Sequence, residues 1–326
     1  MTSIKINTTT YSIADTKEKM TVADSFVKRQ NKIMTGNGEA KFYLGNDSKE
    51  VRDFFGKSGF KLKCFLLRKD LLQYMKDAEA EYKNPEQPYR NKEQMPDYWN
   101  ERIQKINKLS DILWFTLLEQ TQIAGPRIYV KSDDDAFDLI RELSLPFITY
   151  LSAMKLKAPN GELVFYFRLF VDYFGESEHP LAVKEEQERI EEEVEITDET
   201  KKEISYARVG QGKYRKGVLD ECPFCPITMV TDDRLLIASH IKPWVTSEEK
   251  EKIDPKNGFM FTPTYDFLFD RGFITFTDKK EMKVSPWLSK MTCSKLNIAD
   301  DKKYPMLPVE GRENYLVYHR ANIFKS

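Results

Sequence analysis

Apolar positions change their period several times along the chain. Between Lys41 and Phe174, strand-like runs alternate with helix-like ones. Lys61-Leu62-Lys63-Cys64-Phe65-Leu66-Leu67 and Gly161-Glu162-Leu163-Val164-Phe165-Tyr166-Phe167-Arg168-Leu169-Phe170 are short and rich in aromatic and aliphatic residues, the signature of strands. From Trp99 to Gln122, Ile103, Ile106, Leu109, Leu113, Leu117 and Leu118 recur at helical spacing. This spacing predicts one helix that stops before Gly125-Pro126. The first forty residues are polar and end in the turn-prone Gly36-Asn37-Gly38, which predicts a loosely ordered or peripheral start. The expected amino-terminal domain is α+β and spans residues 1–183.

The Glu-rich stretch that follows, with scattered Lys and Arg, reads as a solvated connector over residues 184–204. A second domain is expected over 205–326. Here Lys213 to Glu221 predicts a helix, Arg234 to His240 a strand, and Gly258-Phe259-Met260-Phe261 a second short strand. Thr262-Pro263 opens a further helix, because proline is tolerated in the first turn, where its missing N–H is not needed. Asp266 and Asp270 are four residues apart on that helix, so they share a face and can approach one cation. His240, at the end of the first strand, is expected to point toward that face.

The chain has 326 residues, with 51 Lys and Arg against 52 Asp and Glu, so any nucleic-acid contact must come from local patches rather than overall charge. Neither a signal-like apolar segment nor a membrane-spanning run is visible, and the chain reads as soluble and cytoplasmic with no membrane partner. Four cysteines make no disulfide framework at this length. Cys222 and Cys225 have the spacing of half a zinc knuckle, which Cys293 and His319 would complete only across a wide separation. Packed free thiols are therefore preferred over a structural Zn²⁺ site. Lys213, Tyr214, Arg215, Lys216, Lys242, Trp244 and Arg271 are candidates for a phosphate-contacting patch, against the alternative of ordinary surface. Lys213, Arg215, Lys242 and Arg271 are its expected DNA-binding members, with Arg215 preferred because a guanidinium can hold phosphate bidentately.

Ser239-His240-Ile241-Lys242-Pro243-Trp244, Asn257-Gly258 and Asp266-Phe267-Leu268-Phe269-Asp270-Arg271-Gly272-Phe273, taken in order, resemble the HNH (ββα-metal) nucleases, in the branch found in bacterial restriction endonucleases. Arg208 to Arg215 and Tyr318-His319-Arg320 resemble flanking segments of that branch. The resemblance implies that His240 is the base that activates water. It makes Asn257 the amide bracing the loop between strands, Asp266 a metal ligand and Asp270 a second ligand or helper. Many members carry Asp or His immediately before the base, where this chain has Ser239. Aspartate at the third signature position favours Mg²⁺ or Mn²⁺ as the cofactor. The implied function is a restriction-type endonuclease acting on double-stranded DNA and leaving 5′-phosphate and 3′-hydroxyl ends. Since each module has one base and one metal, a homodimer would cut both strands, though sequential nicking also serves. The rivals are a nuclease that cages a modified base with Trp99, Trp114, Phe165 and Tyr166, and a non-catalytic DNA-binding protein that keeps the fold.

Overall fold

The computed structural model describes residues 3–36, 39–120, 125–173 and 213–326. The expected connector at 184–204 and the flanking residues 208–212 lie outside them. The chain divides into two compact units, Met1–His179 and Pro180–Ser326.

The first unit is built on an eight-stranded sheet. Its strands are β1 (Ser3–Ile6), β2 (Thr9–Thr21), β3 (Phe42–Asn46), β4 (Lys61–Leu67), β5 (Ile112–Gln120), β6 (Arg127–Lys131), β7 (Thr149–Lys157) and β8 (Leu163–Val171). They lie in the order β1-β2-β7-β8-β4-β5-β6-β3. All neighbours run antiparallel except β4 and β8. Helices α1 (Lys49–Phe55), α2 (Arg68–Asp77), α4 (Met95–Asn107) and α5 (Asp135–Leu143), with the short α3 (Glu79–Lys83) between α2 and α4, supply Phe54, Leu71, Tyr74, Ile106, Phe137 and Ile140 to one core. The sheet supplies Leu62, Cys64 and Leu66 of β4 with Phe115, Phe165 and Phe167 to the same core.

Two expectations are corrected here. The polar start is not peripheral: β2 is thirteen residues long and pairs with β7 from Ser12↔Lys157 to Thr21↔Tyr150. Its backbone hydrogen bonds satisfy a segment whose side chains alone do not advertise a strand. The helix expected over Trp99–Gln122 ends at Asn107, and 112–120 is a strand in register with β4, Phe65 opposite Trp114. Leu113 and Leu117 fit a period of two as well as one of about 3.6, and pairing with β4 decides between them.

The sheet also separates the four aromatics considered as a base cage. Phe165 lies in the core with Trp99 packed at its edge, whereas Tyr166, the next residue of β8, faces the other way. Tyr166 stacks on Phe65 with ring centres 5.1 Å apart, and Phe65 in turn meets Trp114 at 5.1 Å. Lying on opposite faces, the four do not line one pocket.

In the second unit, β9 (Ile237–His240) and β10 (Gly258–Phe261) pair antiparallel, with His240 opposite Gly258 and Ser239 opposite Phe259. The first strand is shorter than expected, since Asp233–Leu235 forms a 3-10 turn whose Asp232 side chain accepts from the Arg234 N–H. Pro263–Asp270, here the acidic helix, packs against both strands. It buries Leu268 and Phe269 and leaves Asp266 and Asp270 half-buried. Phe259, Phe261, Phe269 and Phe276 pack ring against ring beneath it. Gly272, at φ +67°, turns the chain into β11 (Ile274–Phe276), which pairs with β12 (Met282–Val284). A Cβ at Gly272 would stand 2.0 Å from the Ile323 carbonyl oxygen, so glycine is needed there for space as well as for φ.

Candidate active site

Around the strand pair, one loop is fixed first. Asn257 is fully buried, and its Oδ1 accepts the Lys242 N–H at 2.8 Å. Its Nδ2 donates to Lys242 O, Ser247 Oγ and Glu251 O at 3.2, 3.3 and 3.1 Å. One side chain thus ties both ends of the loop 242–251 to the start of β10. The loop carries a one-turn helix, Glu249–Lys252, closed by a capping box between Glu248 and Glu251.

That turn ends on a carbonyl with no intrahelical partner, as helix ends do. His240 supplies one: its Nε2–H donates to Lys252 O at 3.0 Å. A carbonyl only accepts, so in the neutral ring the proton is on Nε2 and the lone pair is on Nδ1. The ring is walled as well. Tyr214 lies flat on it, centroids 4.1 Å apart and planes within 9°, and Trp244 meets it edge-on at 5.8 Å. Tyr214 and Trp244, candidates for a phosphate patch or for ordinary surface, are both buried. Sequence reasoning gave Lys252 no role, because a backbone carbonyl leaves no trace in residue type.

On β9 it is Ser239, one residue earlier, whose hydroxyl lies toward Asp266 of the acidic helix. His240 turns to Tyr214 and Lys252. Burial, reinforced by the charge of Asp270 and opposed by the Ser239 hydroxyl, pushes Asp266 up to about 6. Tyr214 is pushed well above its ordinary value by burial, and the Asp266 charge contributes to that rise.

Among the described residues, no group of three or more His, Cys, Asp or Glu side chains is placed to hold a metal. His240 accordingly does not join Asp266 and Asp270 in a three-residue ligand set. Two carboxylates and a hydroxyl, all oxygen, nevertheless suit a hard divalent cation that keeps most of its waters, and a cation would offset the burial and the Asp270 charge that raise Asp266. His319 is not available to a zinc site. Its Nε2–H donates to Phe269 O at 3.0 Å and its Nδ1 accepts from the Thr275 hydroxyl at 2.9 Å. It also stacks on Phe269 at 4.0 Å. Cys222 and Cys225 are buried thiols, Cys222 donating to Phe224 O.

Three of the four expected DNA-binding residues make contacts within the unit. Arg215 donates to Leu236 O and Asp233 O, at 3.0 and 2.5 Å. Lys242 pairs with Glu251, and Arg271 lies over the Phe267 ring beside Asp270. The Lys213 side chain lies outside the described residues.

Residues 225–277 match the family model of an HNH endonuclease. The matched segment contains Ser239, His240, Asn257, Asp266 and Asp270, and it leaves out Tyr214 and everything after Thr277. It supports membership of that segment in the HNH family and, with it, nuclease chemistry on DNA with a divalent metal in general. No curated protein matches the chain. None of the described helices is long and apolar enough to cross a membrane.

Proposed function

We propose that the protein is a divalent-metal-dependent DNA endonuclease of restriction type, in which the first unit selects the target and the second cuts. The observation that carries this reading is the proton placement on His240. Lys252 O holds the Nε2–H, which leaves Nδ1 as a base on a ring walled by Tyr214 and Trp244, within the HNH-matched segment.

In this reading Asp266 and Asp270, with the Ser239 hydroxyl, hold Mg²⁺ or Mn²⁺. When bound, the cation supplies charge stabilisation at the phosphate and the leaving oxygen. Nδ1 of His240 takes a proton from water as the water attacks the phosphorus; the P–O3′ bond breaks, the 3′ oxygen takes a proton from solvent water, and the imidazolium keeps its Nε2–H on Lys252 O. Asn257 touches no reacting atom and acts by holding the loop that presents that carbonyl. The products are 5′-phosphate and 3′-hydroxyl ends. With one base per chain, a double-strand cut takes two chains or two successive nicks.

Incubating plasmid DNA with the protein and Mg²⁺ or Mn²⁺ tests this, with EDTA, His240→Ala and Asp266→Ala as controls. Cleavage that needs the metal and both side chains supports the proposal. Cleavage that survives His240→Ala removes the base from it.

A further inference from the structure

The helix Lys213–Glu221 lies outside the family-matched segment, yet it docks onto the start of β10, the strand paired with the one that carries His240, through contacts that each require a particular residue. Gly258 is extended, at φ −155°, so its backbone conformation would admit any residue. Its environment does not. A Cβ there would stand 2.4 Å from the Tyr214 hydroxyl and 3.0 Å from Val218 Cγ2. One turn away the arrangement is reversed, since a Cβ on Gly217 of the helix would stand 2.6 Å from Pro255 Cγ. The Tyr214 hydroxyl donates to Asn257 O at 3.1 Å, and the same carbonyl accepts the Ile241 N–H at 3.0 Å. From the far side, the buried Arg312 donates to Gly258 O at 2.9 Å and to Glu221, the last residue of the helix, at 2.7 Å. Helix and strand are locked, and the flat face delivered by the lock is the one lying on His240 at 4.1 Å.

We infer that Tyr214 is a positioning residue for the base, its ring fixing the plane of the His240 imidazole so that Nδ1 is aimed while Lys252 O holds the opposite nitrogen. The inference rests on the proposed nuclease reading. The hydrogen bond at Nε2 does not by itself set the plane of an imidazole on a single-bonded side chain, since the ring can swing about that bond. A parallel ring against its face removes that freedom, and misaiming by about 1 Å is enough to cost ~100-fold in rate. The hydroxyl acts separately. It seats the ring by bonding Asn257 O, while the stack itself needs only the aromatic face.

Two readouts on the full chain test this. The chain has three histidines, so the ring protons of His240 can be assigned by NMR through His240→Ala. They should be shifted upfield by Tyr214 in the wild type and equally in Tyr214→Phe. Tyr214→Met, which fills much of the volume without a flat face, should lose that shift while the His319 signals stay in place. Metal-dependent cleavage should fall ~10–100-fold in kcat for Tyr214→Met with KM within about twofold, and stay within about threefold of wild type for Tyr214→Phe. A wild-type His240 resonance without the upfield shift overturns the stack, whatever the activity and whether or not Tyr214→Met folds. Wild-type kcat in Tyr214→Met overturns the positioning role. A wild type that cuts no DNA with any divalent cation overturns the nuclease reading, and the upfield shift and its loss in Tyr214→Met would still support the placement of the ring.

Discussion

Replacing Asp266 with asparagine should make the metal-free protein more stable and its chemistry worse. The structure gives the size of the gain. A carboxyl raised from 3.8 to about 6 in the folded state is harder to ionise there than in the unfolded chain. Its ionisation therefore opposes folding. The penalty is absent below the unfolded value, grows between the two, and is complete above about 6, where it amounts to at most ~3 kcal/mol. At pH 5 about half of it applies. An asparagine in its place would keep nearly the same shape and carry no charge, so Asp266→Asn in EDTA should gain up to ~3 kcal/mol at pH 7.5 and roughly half that at pH 5. Hydrogen exchange of peptides spanning 258–276, compared between variant and wild type at each pH, reads this opening energy locally in a two-unit chain. Adding Mg²⁺ should slow exchange in the wild type and leave the variant unchanged, because a ligand that binds only the folded state stabilises it. An Asp266→Asn protein no more stable than wild type at pH 7.5, or a gain that fails to shrink at pH 5, would refute the reasoning.

Other perturbations probe the frame around the base. Asn257→Ala removes a buried amide making four hydrogen bonds to the loop 242–251; it should cost at least ~2 kcal/mol by urea denaturation and abolish cleavage. Gly258→Ala drives a methyl into the Tyr214 hydroxyl, so it should lower both stability and kcat, and adding Tyr214→Phe should recover part of each in the same assays. Arg312→Ala leaves Gly258 O and Glu221 without their shared donor, and calorimetry should show a loss of ~2–4 kcal/mol in the second unit. Metal analysis of the purified protein should find no stoichiometric zinc, because both nitrogens of His319 are hydrogen-bonded; one zinc per chain would contradict that placement.

The sequence by itself determined the elements whose signals are local. Pro263 after Thr262 marks the start of the acidic helix, and the four-residue interval places Asp266 and Asp270 on its one face. The runs at 61–67 and 258–261 are strands because their composition suits nothing else of that length. Tertiary structure decided wherever one residue pattern serves two periods or where a partner comes from far along the chain. Residues 112–120 became a strand only by pairing with β4, and β2 exists because β7 lies beside it. Around the site the same holds. Residue type marks His240 as a candidate base but says nothing of Lys252 O, which accepts its Nε2–H, or of Tyr214, which stacks on its ring. A backbone carbonyl has no side-chain signature, and a tyrosine twenty-six residues before a histidine carries no spacing rule. Those contacts are set by how strands and helices pack within the unit, and packing is a property of the assembled chain.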